Sequence, residues 1–311
     1  MRVETTGIFN VSEADYHADP CPGPSLSSSL AATIHQSTPR HAWLQHPRLN
    51  PQFAPEENDT FSLGKAAHAW LLEGEQRFTV CDFKDWRTND AKAAKQAALD
   101  AGKTPLLPHQ RDAVFRLCSA IRAQLPHLEI PGLLDMTQGK AEQTIVWREG
   151  AAWCRARPDW LRDDHKIIVD LKIHGRTVNP ENLARHIYDM TYDLRGAFYQ
   201  RGVRSLGKCD SPEFFWLFAE DKPPHAVSLV TLKPAGWQLA EVKAGRAVQT
   251  WAWCMENDRW PGYGGQIAYL ETPVYEAIKH DDREALHETH PNLLQTMMDW
   301  QAPLEAKGAA E

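Results

Sequence analysis

Residues 142–173 do most to limit the folds open to this chain, because side chains of strand-like period recur there in three successive runs. The first run, residues 142–148, alternates along Glu142-Gln143-Thr144-Ile145-Val146-Trp147-Arg148. A turn is expected at Glu149-Gly150, and residues 151–157 return as the second arm of a hairpin. With that turn, Arg148 would face Ala151 and Glu142 would lie opposite Arg157. The third run, residues 166–173, ends in the loop His174-Gly175-Arg176-Thr177.

Chemistry is concentrated at the edges of these runs. Strand side chains alternate faces, so Asp170 and Lys172 project together while Val169 and Leu171 point the other way, into a core. Asp159 follows Pro158 at the end of the second arm. If that arm delivers Asp159 to the same sheet edge, Glu142, Asp159 and Asp170 converge. Two or three carboxylates so placed can hold a hard divalent cation while the lysine orients a water. Taken singly, an aspartate two residues from a lysine is an ordinary solvated surface pair. The functional reading therefore rests on the company it keeps.

Composition sets the outer limits. With 311 residues, 42% of them hydrophobic, the chain can bury a sizeable core as one large domain or two small ones. It contains no run of eighteen apolar residues and its N-terminus lacks the apolar core of a signal peptide, so a cytoplasmic protein with no membrane association is expected. Six scattered cysteines without a CxxC pair argue against a zinc ribbon or an iron–sulfur centre. The net charge of −7 argues against a nucleic-acid partner unless the basic groups are confined to one groove.

Around the strands the pattern is helical. Residues 25–30, rich in serine, are expected to open and cap a helix that stops before Pro39. Residues 63–73 read as a short apolar helix between Ser62 as cap and Gly74 as terminator, with His68 four residues after Gly64 on one face. A histidine on such a helix is either a packing residue or a metal ligand. Residues 83–135 read as an exposed helical excursion, scaffold or DNA-facing flap, with helices near 90–100 and 109–125. From the cap Asn179-Pro180-Glu181 one helix is expected to run to about Gly202, carrying Arg185, Tyr188, Tyr192, Arg195 and Tyr199 as a polar and aromatic stripe. A single domain is expected over residues 1–275. Residues 276–311 read as a tail, with a short amphipathic helix over 291–300 and disorder from 305.

The order Gly64-(x)3-His68, Glu142, Pro158-Asp159, Asp170-Leu171-Lys172 and Arg195-(x)3-Tyr199 resembles the RecB-type branch of the PD-(D/E)xK nucleases, closest to the exodeoxyribonuclease VIII (RecE-like) domain. The resemblance extends to Ser27-Ser28-Ser29-Leu30, to residues 64–74 and to Asp258-Arg259-Trp260-Pro261-Gly262-Tyr263, and covers most of residues 10–275. It implies an α/β fold with a central mixed sheet flanked by helices. It also implies a 5′-to-3′ exonuclease on double-stranded DNA that uses Mg²⁺ or Mn²⁺. A ring-like homotetramer and a RecT-like single-strand annealing partner are implied as well.

By the same resemblance, Asp159 and Asp170 would be metal ligands, His68 and Glu142 would complete the shell, and Lys172 would position the attacking water. The backbone carbonyl of Leu171 would be a further ligand to one of two ions about 3.5–4 Å apart. Arg176, Arg185, Arg195 and Tyr199 would contact DNA, with Tyr199 in the place of the tyrosine of the family's QxxxY motif. Arg195 stands where many members have glutamine, and can bind a phosphate oxygen more strongly. Two rivals remain: an endonuclease or single-strand-specific nuclease of the same fold, and a degenerate scaffold that binds DNA without cutting it.

Overall fold

Backbone pairing divides the strands into two main sheets and one small one. The computed structural model describes residues 2–54, 61–265 and 267–289. Its first half runs β1 (Gly7–Phe9), α1 (Glu13–His17), β2 (Ser25–Ser27), α2 (Ser28–Gln36), α3 (Pro39–Leu44), α4 (Leu63–Leu72), β3 (Phe78–Val80), α5 (Asn89–Asp100), β4 (Thr104–Leu106) and α6 (Pro108–Gln124). The second half runs β5 (Gly139–Ala141), β6 (Thr144–Glu149), β7 (Ala152–Ala156), β8 (Trp160–Arg162), β9 (Ile167–His174), α7 (Pro180–Asp189), α8 (Tyr192–Ser205), β10 (Glu213–Glu220), β11 (Val227–Val230), α9 (Pro234–Asn257) and α10 (Val274–Thr289).

The larger sheet has the order β11-β10-β9-β8-β5, with β9 and β10 parallel and the other neighbours antiparallel. Both faces of its centre are covered. Ile168, Phe214, Trp216 and Phe218 pack towards α8 and α9, while Val169, Leu171 and Leu217 pack towards α4 and α6. Burial on both faces explains why residues 214–219 form a nearly unbroken apolar run instead of alternating. The smaller sheet, β1-β6-β7-β2, leans on α8 through Trp147 and Phe198, whose rings lie 4.8 Å apart. This is the α/β architecture, mixed sheet flanked by helices, that the sequence implies.

Local chemistry sets the element ends. Ser62 caps α4 by accepting a bond from Lys65 N, and Gly74 follows its end at φ +94°. The serine-rich segment divides differently from expectation. Ser25–Ser27 is strand β2, paired parallel with β7, and only Ser28 onward is helix, capped by Ser27.

Three further expectations are corrected. The hairpin turns at Gly150-Ala151 rather than at Glu149-Gly150, because Gly150 supplies the left-handed residue, at φ +57°; Arg148 therefore faces Trp153. That slip is two residues, which preserves which face each side chain occupies. The stripe beyond Asn179 is not one helix, since Thr191 at φ +51° separates α7 from α8. Arg185 and Tyr188 therefore lie on α7, and Tyr192, Arg195 and Tyr199 on α8. Finally, residues 83–135 are not a wholly exposed excursion. Val114, Leu117, Cys118 and Ile121 on one face of α6 are buried against Trp70 and Leu71 of α4.

The helix that carries Tyr199 is pressed onto β6 at Gly202, where an added methyl would meet Trp147 at 2.9 Å and Ile145 at 3.1 Å. Gly202→Ala is expected to destabilise the protein by about 1–3 kcal/mol through overpacking. Urea unfolding checks this, and an unchanged midpoint would contradict the packing described.

The chain divides into two units, Met1–Tyr263 and Gly264–Glu311. In the second, α10 is exposed and carries an ion pair between Lys279 and Glu276 at 2.9 Å. The expected helix at 291–300 and the expected disorder from 305 lie outside the described residues. No helix among the described residues is long and apolar enough to cross a membrane.

Candidate metal centre and active site

The hairpin bends at one point, and the site is built there. Ala141 pairs with Trp160, and Trp160 pairs with Val169. Continuing both registers by one residue puts Asp159 between Glu142 on one side and Asp170 on the other. The same alignment resumes past the bend, where Ile145 pairs with Ala156. The three carboxylates therefore stand in one row across three chain segments, at the place where the two sheets part. Cross-strand neighbours lie about 5 Å apart at Cβ, close enough to share a cation. The acids meet at this junction and not, as the sequence suggested, on one sheet edge.

Two local features make the bend. Glu142 adopts a left-handed conformation, φ +57°, which costs a non-glycine residue on the order of 1 kcal/mol. Its N–H donates to the Asp159 carbonyl at 3.1 Å, and its carboxylate is clamped by the Arg157 guanidinium. Pro158 ends β7's course and has no N–H. Continuing the β8–β9 register places it opposite Leu171, so it has no donor to offer that residue's carbonyl. Leu171 N–H itself donates to Asp159 Oδ2 at 2.6 Å. The N–H and C=O of a strand residue face the same neighbour, so the Leu171 carbonyl is directed towards the acids.

His68 arrives from α4, on the other face of the sheet. Its Nε2 lies 3.0 Å from Asp159 Oδ2 and its Nδ1 lies 3.7 Å from Glu142 Oε1. His68, Glu142 and Asp159 each offer a ligand atom, all within 4.8 Å of one another. Asp170 is not part of that tight group. Its carboxylate is engaged by the Lys172 ammonium, which also sits over the Tyr192 ring at 5.2 Å.

Electrostatics suit a cation. Burial disfavours charge on His68, but Asp159 and Glu142 outweigh it and raise its pKa to about 9. Burial would raise Asp159, yet the His68 charge and hydrogen bond, Lys172 and the Leu171 N–H hold it below the usual carboxylate range. Glu142 is raised by burial and by Asp159, against the pull of Arg157. Asp170 is raised by burial and by Asp159, against the pull of Lys172. For Lys172, burial is outweighed by Asp170 and Asp159, and its pKa is raised. The proton on His68 thus balances the carboxylates as a metal ion would. One nitrogen and several oxygen donors suit Mn²⁺ and, with more reluctance at the histidine, Mg²⁺.

A pH dependence follows. His68 holds its proton to about 9, against an ordinary 6.5. In metal-free protein the resulting stability is complete below pH 6.5 and is lost as pH rises through about 9. A metal must displace that proton. Mn²⁺ affinity is therefore expected to rise about tenfold per unit between pH 7 and 9 and then level off. Calorimetric titration at several pH values checks it, and an affinity independent of pH in that window would contradict the placement of His68.

The cluster lies in an open cleft of about 1060 Å³. Six of the lining residues are Lys or Arg and three are Glu. Arg77, Arg157 and Lys172 are paired with Glu73, Glu142 and Asp170, so the cleft keeps only a small positive excess in a chain of net charge −7. Arg195 and Tyr199 line it. The Arg195 guanidinium lies 5.8 Å from the Tyr192 ring, and its Nε is buried with no hydrogen-bond partner among the described residues. The Tyr199 hydroxyl accepts from Ser28 Oγ at 3.4 Å and is kept protonated by burial and by the nearby Asp170. Arg176 and Arg185 do not line the cleft. Arg176 sits in the exposed loop after β9, and Arg185 pairs with Asp189 at 3.3 Å on the exposed side of α7. Sequence reasoning gave Arg157 no role in the site, although it directly precedes Pro158-Asp159. Tyr16, whose ring lies under both Arg155 and Arg157 at 5.4 and 5.8 Å, gave no sequence signal.

The family described as "PDDEXK-like domain of unknown function (DUF3799)" matches residues 28–273. The chain belongs to this family. Asp159, Asp170 and Lys172 lie within the matched span. Among solved structures, the crystal structure of a "Putative exonuclease" from Eubacterium rectale matches with a TM-score of 0.51 at 13% sequence identity, covering 87% of this chain and 98% of that one. At that identity the likeness concerns the fold. No curated protein matches the sequence.

Proposed function

We propose that this PDDEXK-family chain is a divalent-metal-dependent exodeoxyribonuclease that degrades linear double-stranded DNA from 5′ to 3′, releasing 5′-nucleotides and leaving 3′ overhangs for recombination. The observation that carries the hydrolytic reading is the row Glu142–Asp159–Asp170, with His68 and Lys172, beside an open cleft that His68, Glu142 and Lys172 line. Exonuclease action is supported by the structural neighbour from Eubacterium rectale, itself described as an exonuclease. The polarity, the duplex substrate, a ring-like homotetramer and a RecT-like annealing partner rest on the sequence resemblance.

His68, Glu142 and Asp159, with the Leu171 carbonyl and Asp170 beside them, would hold Mg²⁺ or Mn²⁺. Such an ion supplies Lewis-acid chemistry: charge stabilisation at phosphoryl oxygens and activation of water at neutral pH. The chain's own groups do the rest. Lys172, held in place by Asp170 and Tyr192, orients the attacking water and stabilises charge that develops on the phosphate. Arg195, which lines the cleft, binds a phosphate oxygen through its guanidinium and aligns the scissile bond. Tyr199, protonated and anchored to Ser28, fixes the wall against which the strand lies.

The test is incubation of linear duplex DNA, labelled at either the 5′ or the 3′ end, with the protein and Mg²⁺, beside covalently closed circular DNA. Early release of the 5′ label as mononucleotide, with the circle intact, is expected. Cleavage of the circle would establish an endonuclease instead, and early loss of the 3′ label would reverse the polarity.

A further inference from the structure

The cleft extends well beyond the metal cluster. From His68 it continues past Lys65 and Phe61, at the N-terminal end of α4, to a second wall made by the loop before α5, by α5 itself and by β4. That wall carries Trp86, half-buried, with Lys95 of α5 positioned 5.9 Å from its ring. Phe61 is 37% exposed, Leu99 46% exposed, and both line the same space. The hydrolytic mechanism uses none of these residues.

Aromatic faces interleaved with basic side chains have a specific ligand chemistry. Unpaired bases stack on aromatic rings irrespective of sequence, while lysine and arginine meet the phosphates between them. A cleft of about 1060 Å³ is at the top of the range of small-molecule pockets, roughly 300–1,000 Å³. That space takes a few nucleotides of one strand and not the girth of a duplex. Continuity with the acid row means that a strand lying here reaches the candidate metal centre without crossing a ridge.

We propose that the arm of the cleft bounded by α4 and α5 is a stacking platform for unpaired nucleotides of the strand being cut, with Trp86 and Phe61 as the stacking faces and Lys65 and Lys95 beside the phosphates. The inference deepens the nuclease reading and rests on it for the identity of the strand. Trp86 and Phe61 act as binding residues, and neither touches the reacting phosphate.

The experiment separates the two. Binding of a fluorescent oligothymidine eight nucleotides long is measured by anisotropy in EDTA, where no hydrolysis occurs, for the wild type and for Trp86→Ala, Trp86→Phe and Phe61→Ala. Trp86→Ala is expected to weaken binding about tenfold or more and Phe61→Ala by a similar order, while Trp86→Phe, which keeps a ring, stays within about threefold. With Mg²⁺ present, Trp86→Ala raises KM for linear duplex DNA, with kcat nearly kept. Unchanged affinity in Trp86→Ala, equal losses in Trp86→Ala and Trp86→Phe, or no binding by the wild type would overturn the platform. Binding with the expected pattern but no hydrolysis of any DNA in Mg²⁺ or Mn²⁺ would uphold the platform and defeat the nuclease reading.

Discussion

Asp159→Asn lowers hydrolysis of linear DNA by roughly 10³-fold or more, because the substitution removes the one carboxylate that stands between all the other members of the site. Asp159 is the cross-strand neighbour of both Glu142 and Asp170, lies 3.0 Å from His68 and accepts the Leu171 N–H. Asparagine keeps the size and can still accept that N–H, so the fold persists. The charge is what disappears. Without it His68 loses its strongest attraction and its pKa falls from about 9 towards the ordinary 6.5. Two measurements check this together: DNA turnover in Mg²⁺, and NMR titration of His68 in metal-free protein. A variant that keeps normal turnover, or a His68 that still titrates near 9, would remove Asp159 from the centre of the site.

Lys172→Met has two separable effects. Turnover falls by about 10²-fold or more, since the ammonium that orients water and stabilises developing charge is gone. Stability falls as well, by about 3 kcal/mol near pH 8, because Asp170 is left as a buried carboxylate without its partner. The sign with pH is fixed by Asp170, whose pKa is already raised by burial and by Asp159. Its folded form takes up a proton as pH falls, so the stability deficit of Lys172→Met shrinks towards acid. Adding Asp170→Asn should restore much of the stability and none of the activity. Urea unfolding at pH 5 and pH 8 reads the first effect, and a DNA assay reads the second. A double variant no more stable than Lys172→Met would mean that the pair is not what the geometry shows.

The parts of this site that were legible in the sequence are those encoded by strand period. Asp170 and Lys172 share a face by alternation alone. The hairpin could be misplaced by two residues without moving Glu142 off the correct face, because the side-chain period is two. The helix around His68 was readable from Ser62 and Gly74, residues whose roles at helix ends are local.

What failed was tertiary. Nothing in residues 179–202 announces the break at Thr191, a left-handed residue that is neither Gly, Asn nor Asp, so Arg185 was grouped with a site that it does not reach. The apolar face of α6, with Val114, Leu117, Cys118 and Ile121 at helical spacing, was available in the sequence but was outweighed by the mixed charge around it. The cleft's small positive excess was hidden by the net charge of −7, a sum that carries no information about where the charges lie.

The central claim is that His68, Glu142 and Asp159, beside Asp170, form a divalent-metal centre. Calorimetric titration of Mn²⁺ into wild type and Asp159→Asn at pH 8, in two buffers of different ionisation heat, tests it directly. Saturable binding by the wild type with release of close to one proton, lost in the variant, is the expected result. Equal binding by both proteins, or no saturable binding by the wild type, would contradict it.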